Sequence, residues 1–175
     1  MDVQIPRASE APSIYVKIAL PEAYAVHAKT IASDPDKYGD GVATRLEMGR
    51  QVSAESYKEA QADRAALRAE VEAALQRCDV LVLPTLPIPA PLLGAITVRV
   101  GGKDEPLRPM MLRLTQLFNL SGHPALSLPC GLTRDGLPCG FQMVGRLDRT
   151  RELLATALAC EPHVTTAPFR CAGDS

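Results

Sequence analysis

Between Ser53 and Gln76 the apolar residues fall at helical spacing. Tyr57, Ala60, Leu67, Val71, Ala74 and Leu75 form one stripe, and Ser53 stands ahead of them as an N-cap, which predicts a long amphipathic helix. Arg64 lies on that stripe, where its guanidinium must reach water or meet a carboxylate, so it is read as a structural ion-pair residue. Next comes Asp79-Val80-Leu81-Val82-Leu83-Pro84-Thr85, a short apolar run ended by proline. It predicts a strand buried on both faces, of the kind found in α/β sheets with helices on either side.

The flanking segments are read in the same way. Residues 1–13 are polar and proline-containing and are expected to be irregular. Pro21-Glu22-Ala23 predicts a helix start, with Tyr24, His27, Ala28 and Ile31 on its apolar side. The breaker-rich run from Ser33 to Gly41 stops it, and a short helical stretch is predicted at 42–48. Residues 86–106 hold Pro87, Pro89, Pro91, Gly94, Gly101, Gly102 and Pro106 and are expected to form a long loop.

A helix is predicted over 107–120, with Met111, Leu114, Leu117 and Phe118 on its apolar side and Thr115 and Asn119 sharing another face. Pro124 to Pro129 and Cys139 to Arg146 read as two strands of a hairpin, with Asp135-Gly136 as the turn signal and Gly136 as its structural glycine. Gln142, in the returning strand, is expected to satisfy neighbouring backbone within the sheet. The last helix is predicted from Thr150 to Glu161, with Leu153, Leu154, Ala157 and Leu158 inward, and a loose tail from Pro162. Three parts are therefore expected: an irregular segment over 1–13, one domain over 14–162 and a tail over 163–175. The fold class is α/β, a mixed β-sheet flanked by helices, with too few strands to be fully sandwiched unless others come from elsewhere.

Composition narrows the chemistry. The chain has 175 residues, 46% hydrophobic and 22% charged, the range of a globular domain with a core. Its 19 basic and 20 acidic residues give a net charge of −1, which gives nucleic-acid binding no electrostatic support. No apolar run reaches spanning length and no leader is visible, so the expected location is cytoplasmic, with no membrane partner. The five cysteines include no Cys-x-x-Cys pair and the three histidines lie far apart, so no metal site is expected and free thiols are. Cys130 and Cys139 can face each other across the hairpin.

Three linked stretches carry a resemblance. Arg64 is followed by Cys78-Asp79-Val80-Leu81-Val82-Leu83-Pro84-Thr85-Leu86-Pro87. Next come Thr115, Asn119 and the run Leu120-Ser121-Gly122-His123-Pro124-Ala125-Leu126-Ser127-Leu128-Pro129-Cys130-Gly131. Last are Asp135-Gly136-Leu137-Pro138, Gly140, Gln142, Val144 and Gly145. In this order and spacing they resemble the C-terminal part of amidase-signature enzymes, over roughly residues 14–162. The resemblance implies hydrolysis of carbon–nitrogen bonds in amides without a cofactor. The family uses a serine nucleophile, a second serine in a cis peptide, a lysine base and an oxyanion hole of backbone N–H groups.

In the family those groups lie upstream of the stretches matched here. Of Lys17, Lys29, Lys37, Lys58 and Lys103, only Lys103 sits beside glycines, in Gly101-Gly102-Lys103, and no serine accompanies it; no Gly-x-Ser-x-Gly elbow occurs. No catalytic residue is therefore assigned in this chain, Ser121 beside His123 included. Pro84, Thr85, Thr115, Phe118 and Asn119 are the candidate substrate-pocket residues. Leu112 stands where glutamine-using relatives tend to carry an aspartate, which favours a general or apolar amide. The expected partners are a small-molecule amide, an N-terminal amidase half and a second copy of the chain. The alternative is a non-catalytic remnant serving as a binding or assembly module.

Overall fold

The computed structural model describes residues 1–164, which include two compact units, Met1–Val71 and a second from Glu72 onward. The first unit is helical. A 3-10 turn over Pro6–Glu10 leads into α1 (Ala11–Ser33), followed by α2 (Asp40–Arg50) and the start of α3 (Ala54–Leu75). The first thirteen residues are thus mostly ordered, and α1 begins ten residues before the predicted start. Pro12, at the helix N-terminus, is the proline that opens it; Pro21 lies inside it. The buried positions of α1 are Ala11, Ile14 and Ile18, while Tyr24, Ala28 and Ile31 are half-buried and His27 is exposed.

At Leu20-Pro21 the helix meets α2 backbone to backbone. A Cβ added to Gly49 would overlap the Leu20 carbonyl. Charge closes the rest of this unit. The Arg7 guanidinium donates to Glu10 at 2.6 Å and to Asp63 of α3 at 2.7 Å, and the Arg7 backbone N–H donates to Glu70 at 3.0 Å. The Glu10 and Asp63 carboxylates hold the guanidinium above its already high ordinary pKa. Ser53 caps α3 by accepting from the Ser56 N–H at 3.1 Å, as predicted. Tyr57 donates to Glu22 at 2.7 Å, which raises the phenol pKa against the opposing Gln61 amide and Arg64 charge.

The second unit holds the sheet. β1 (Leu81–Pro84), β4 (Ala125–Leu132) and β5 (Pro138–Val144) form a three-stranded sheet in the order β1-β5-β4. The α/β class is as expected, and every pairing among the described residues is antiparallel. β1 is an edge strand, not the doubly buried strand its apolar run suggests. Only Leu81 is buried, and Val82 is 55% exposed. An apolar run records what could be covered; here β5 pairs one side only.

The long loop predicted over 86–106 contains a hairpin, β2 (Thr97–Val100) and β3 (Lys103–Pro106). Its two-residue turn is Gly101-Gly102, at φ +57° and +82°, the doubly positive turn that matches strand twist. The helix predicted over 107–120 is two short ones, α4 (Leu107–Leu112) and α5 (Gln116–Ser121). At the break, the Leu114 carbonyl leaves the helix ladder and accepts from the Gln142 side-chain amide at 3.2 Å. Thr115 Oγ1 donates to the Leu112 carbonyl at 3.2 Å.

α6 (Thr150–Val164) packs on β4 and β5. Met143, Leu153 and Ala157 form a buried cluster, with Leu126, Leu128 and Phe141 against it. Leu154 and Leu158, predicted to face inward, are 56% and 71% exposed. α6 also runs through Pro162 to Val164 instead of stopping before it. The rest of the predicted tail lies outside the described residues.

Candidate functional site

The β4–β5 register places the site. Leu83 of β1, Gln142 of β5 and Ser127 of β4 lie in one row across the sheet. Thr85 follows β1 directly, held by its N–H donating to the Gly140 carbonyl at 2.9 Å. Period-two alternation puts Ser127, Gly140 and Thr85 on the same face. Gly140 has no side chain, so Thr85 Oγ1 and Ser127 Oγ close over it and hydrogen-bond to each other. A Cβ at Gly140 would stand 2.6 Å from Thr85 Oγ1 and 2.9 Å from Ser127 Oγ.

This hydroxyl pair borders a cleft of about 840 Å³. Pro87, Ile88 and Pro89 line it from the segment after β1, Met111 from α4, and Pro129 and Phe141 from the sheet. No charged side chain borders the cleft among the described residues. Thr133 also reaches it, but its hydroxyl accepts from the Leu137 N–H at 3.1 Å and belongs to the hairpin turn. Gly136, at φ +78°, completes that turn by donating its N–H to the Thr133 carbonyl at 3.0 Å.

The predicted site residues divide. Pro84 and Thr85 border the cleft; Thr115, Phe118 and Asn119 do not. Thr115 is half-buried, Phe118 is buried and Asn119 is exposed on α5. The helix ends at Gly122, whose N–H donates to the Phe118 carbonyl at 2.9 Å. Gln142 reaches out of the sheet to the Leu114 carbonyl, and Arg64 is half-buried on α3. Ser127 and Gly140 were not among the predicted pocket residues. The turn does not reveal them: the register shifts by one between Pro129 and Leu132, so alternation counted back from the Asp-Gly turn puts Ser127 and Gly140 on opposite faces.

Among the described residues, Ser121 and His123 form a serine–histidine contact. Ser121 Oγ lies 2.9 Å from His123 Nδ1, but Ser121 is 0% exposed, so no substrate reaches its hydroxyl. None of the five lysines is buried: Lys17 is half-buried and the others are exposed. The described residues contain no group of three or more His, Cys, Asp or Glu that could hold a metal ion. No helix among them is long and apolar enough to cross a membrane.

Comparison with known proteins agrees with the sequence motifs. The Amidase family model matches residues 1–154. An amidase of Pseudomonas putida is 36% identical over 166 residues, which is 94% of this chain and 35% of that protein. A glutamyl-tRNA(Gln) amidotransferase subunit of Synechococcus sp. (strain CC9902) is 37% identical over 131 residues, 71% of this chain and 26% of that protein. A crystal structure of an amidase superposes with a TM-score of 0.87 at 31% identity, covering 93% of this chain and 37% of that one. The chain thus spans about a third of the length of the first curated relative it matches, 35% of it. On the match over residues 1–154, this chain belongs to the amidase family.

Proposed function

We propose that this chain supplies the substrate-side wall of an amide hydrolase, and that the serine nucleophile, bridging serine and lysine act from residues outside these 175. The observation that carries this reading is the cleft itself. It offers apolar walls and a hydroxyl pair, but no lysine or histidine to draw a proton from a serine. A lysine base must be desolvated to be neutral near pH 7, and none in the chain is buried. The chain would pair with an N-terminal amidase portion; what supports this is that it matches only 35% of the Pseudomonas putida amidase.

The test is an amide-hydrolysis assay of the chain alone, of its Ser121→Ala variant, and of the chain with an N-terminal amidase portion added. The expected result is hydrolysis only in the last. Turnover by the chain alone that persists in Ser121→Ala would place a nucleophile elsewhere within it. Turnover abolished by Ser121→Ala would make Ser121 the nucleophile despite its burial.

A further inference from the structure

We infer that Cys130 and Cys139 form a dithiol site on the cleft, which a low-molecular-weight disulfide oxidises to a cross-strand disulfide. The site needs neither an amide nor a nucleophile from elsewhere, so it stands apart from the proposed function. β4 and β5 keep one register from Leu126–Met143 through Leu128–Phe141 to Pro129–Gly140, so Cys130 and Cys139 come next. The register shifts beyond Pro129 and before Leu132, and Gly131, at φ +117°, is the residue there that takes up the extra position. The Gly145 N–H donates to the Pro124 carbonyl at 2.9 Å, which marks that pair as a hydrogen-bonded one. Counting in twos from it reaches Cys130 and Cys139. In such a pair the Cα atoms stand about 5.5 Å apart, and disulfides favour roughly 5.5–6 Å. Opposed side chains also leave the sheet on one face.

Both cysteines are half-buried free thiols and both border the cleft, so a small reagent reaches them. The Cys139 thiol lies 4.0 Å from the Leu137 carbonyl, a weak hold. The described residues contain no group of three or more His, Cys, Asp or Glu that could hold a metal ion, so the pair does not complete a tetrahedral metal site. Two thiols without further ligands take each other, or an acceptor that needs only two. In the oxidation, one cysteine thiolate attacks the small disulfide, whose S–S bond breaks and releases one thiolate. The other cysteine then displaces the remaining half from the mixed disulfide. The two protein thiols are oxidised, the small disulfide is reduced to two thiols, and the two protons pass to them. The bridge ties β4 to β5 beside the bulge and removes both thiols from the cleft lining.

The experiment incubates the full chain with glutathione at a series of oxidised-to-reduced ratios, quenches with acid and maps the peptides by mass spectrometry. The expected product is a bridge within one chain, Cys130 to Cys139, which excess reduced glutathione reverses. In Cys130→Ser or Cys139→Ser the remaining cysteine is expected to stop at the mixed disulfide. A second probe reads the reduced pair: phenylarsine oxide, a trivalent arsenical that takes two thiols. Each single variant is expected to bind it about a hundredfold more weakly than the unaltered chain, the gain from a second tethered contact. Peptide mapping of the unaltered chain decides the matter even if a variant misfolds, which its melting curve reports.

The inference is overturned if both cysteines end as separate glutathione adducts, or if the pair stays reduced in excess oxidised glutathione. It is also overturned if either cysteine bridges Cys78, Cys160 or a second chain instead of its partner. Equal arsenical binding by the variants and the unaltered chain would overturn it too. Amide hydrolysis enters none of these readouts, so its gain or absence on adding an N-terminal portion judges the proposed function alone.

Discussion

Gly49 and Gly140 each occupy a place where a methyl group has no room, and for different reasons. At Gly49 the obstacle is backbone, the Leu20 carbonyl, which cannot rotate away. At Gly140 the obstacles are two hydroxyls, which can turn at the cost of their mutual bond. Gly49→Ala is therefore expected to destabilise the chain by about 1–3 kcal/mol, as overpacking does, and urea unfolding would measure it. An unchanged midpoint would show that α2 does not approach α1 this closely. The sequence marks neither glycine for this role. Gly49 sits in a helix with no turn signal, and Gly140 lies in a strand. Only the neighbour across the packing gap shows that space is absent. Thr85 was legible, because it ends an apolar run beside a proline. Ser127 was not, since a lone serine in a strand reads as the solvent side of an alternation.

Among the elements, α3 was the most legible: a long stripe and an N-cap serine agree, and the structure keeps both. Elements whose ends depend on distant partners were harder. The 107–120 segment reads as one helix because nothing local announces that the Gln142 amide takes the Leu114 carbonyl. In α6 the helical period holds, but the buried stripe is narrower than the apolar one. Leu153 is 3% exposed against β5, while Leu158 is 71% exposed. Leu153→Ala is expected to cost about 2–5 kcal/mol. Leu158→Ser is expected to cost less than about 0.5 kcal/mol. Thermal melts of the two variants give the comparison directly; equal losses would mean that α6 buries the broader face after all.

For the chain as a whole, the two units raise different demands. The helical unit is tied by Arg7 to Glu10 and Asp63 and by Tyr57 to Glu22. The unit from Glu72 onward presents Val82, Leu92, Leu93, Ile96, Leu154 and Leu158 to solvent, on an edge strand, a loop and a helix. Exposed apolar side chains beside unpaired strand edges favour association. The 175-residue chain is expected to increase in sedimentation mass with concentration. A single monomeric species across micromolar to near-millimolar concentrations would count against that. The sequence by itself determined the helix and strand periods, the Asp-Gly turn and the linked motifs of the amidase family. Each is set by residues near one another along the chain, or by their order and spacing. The tertiary structure alone decided which apolar faces are covered, where the 107–120 helix breaks, and that two hydroxyls meet over Gly140. Those outcomes depend on side chains brought together by sheet register and packing, across sequence separations that a local pattern does not encode.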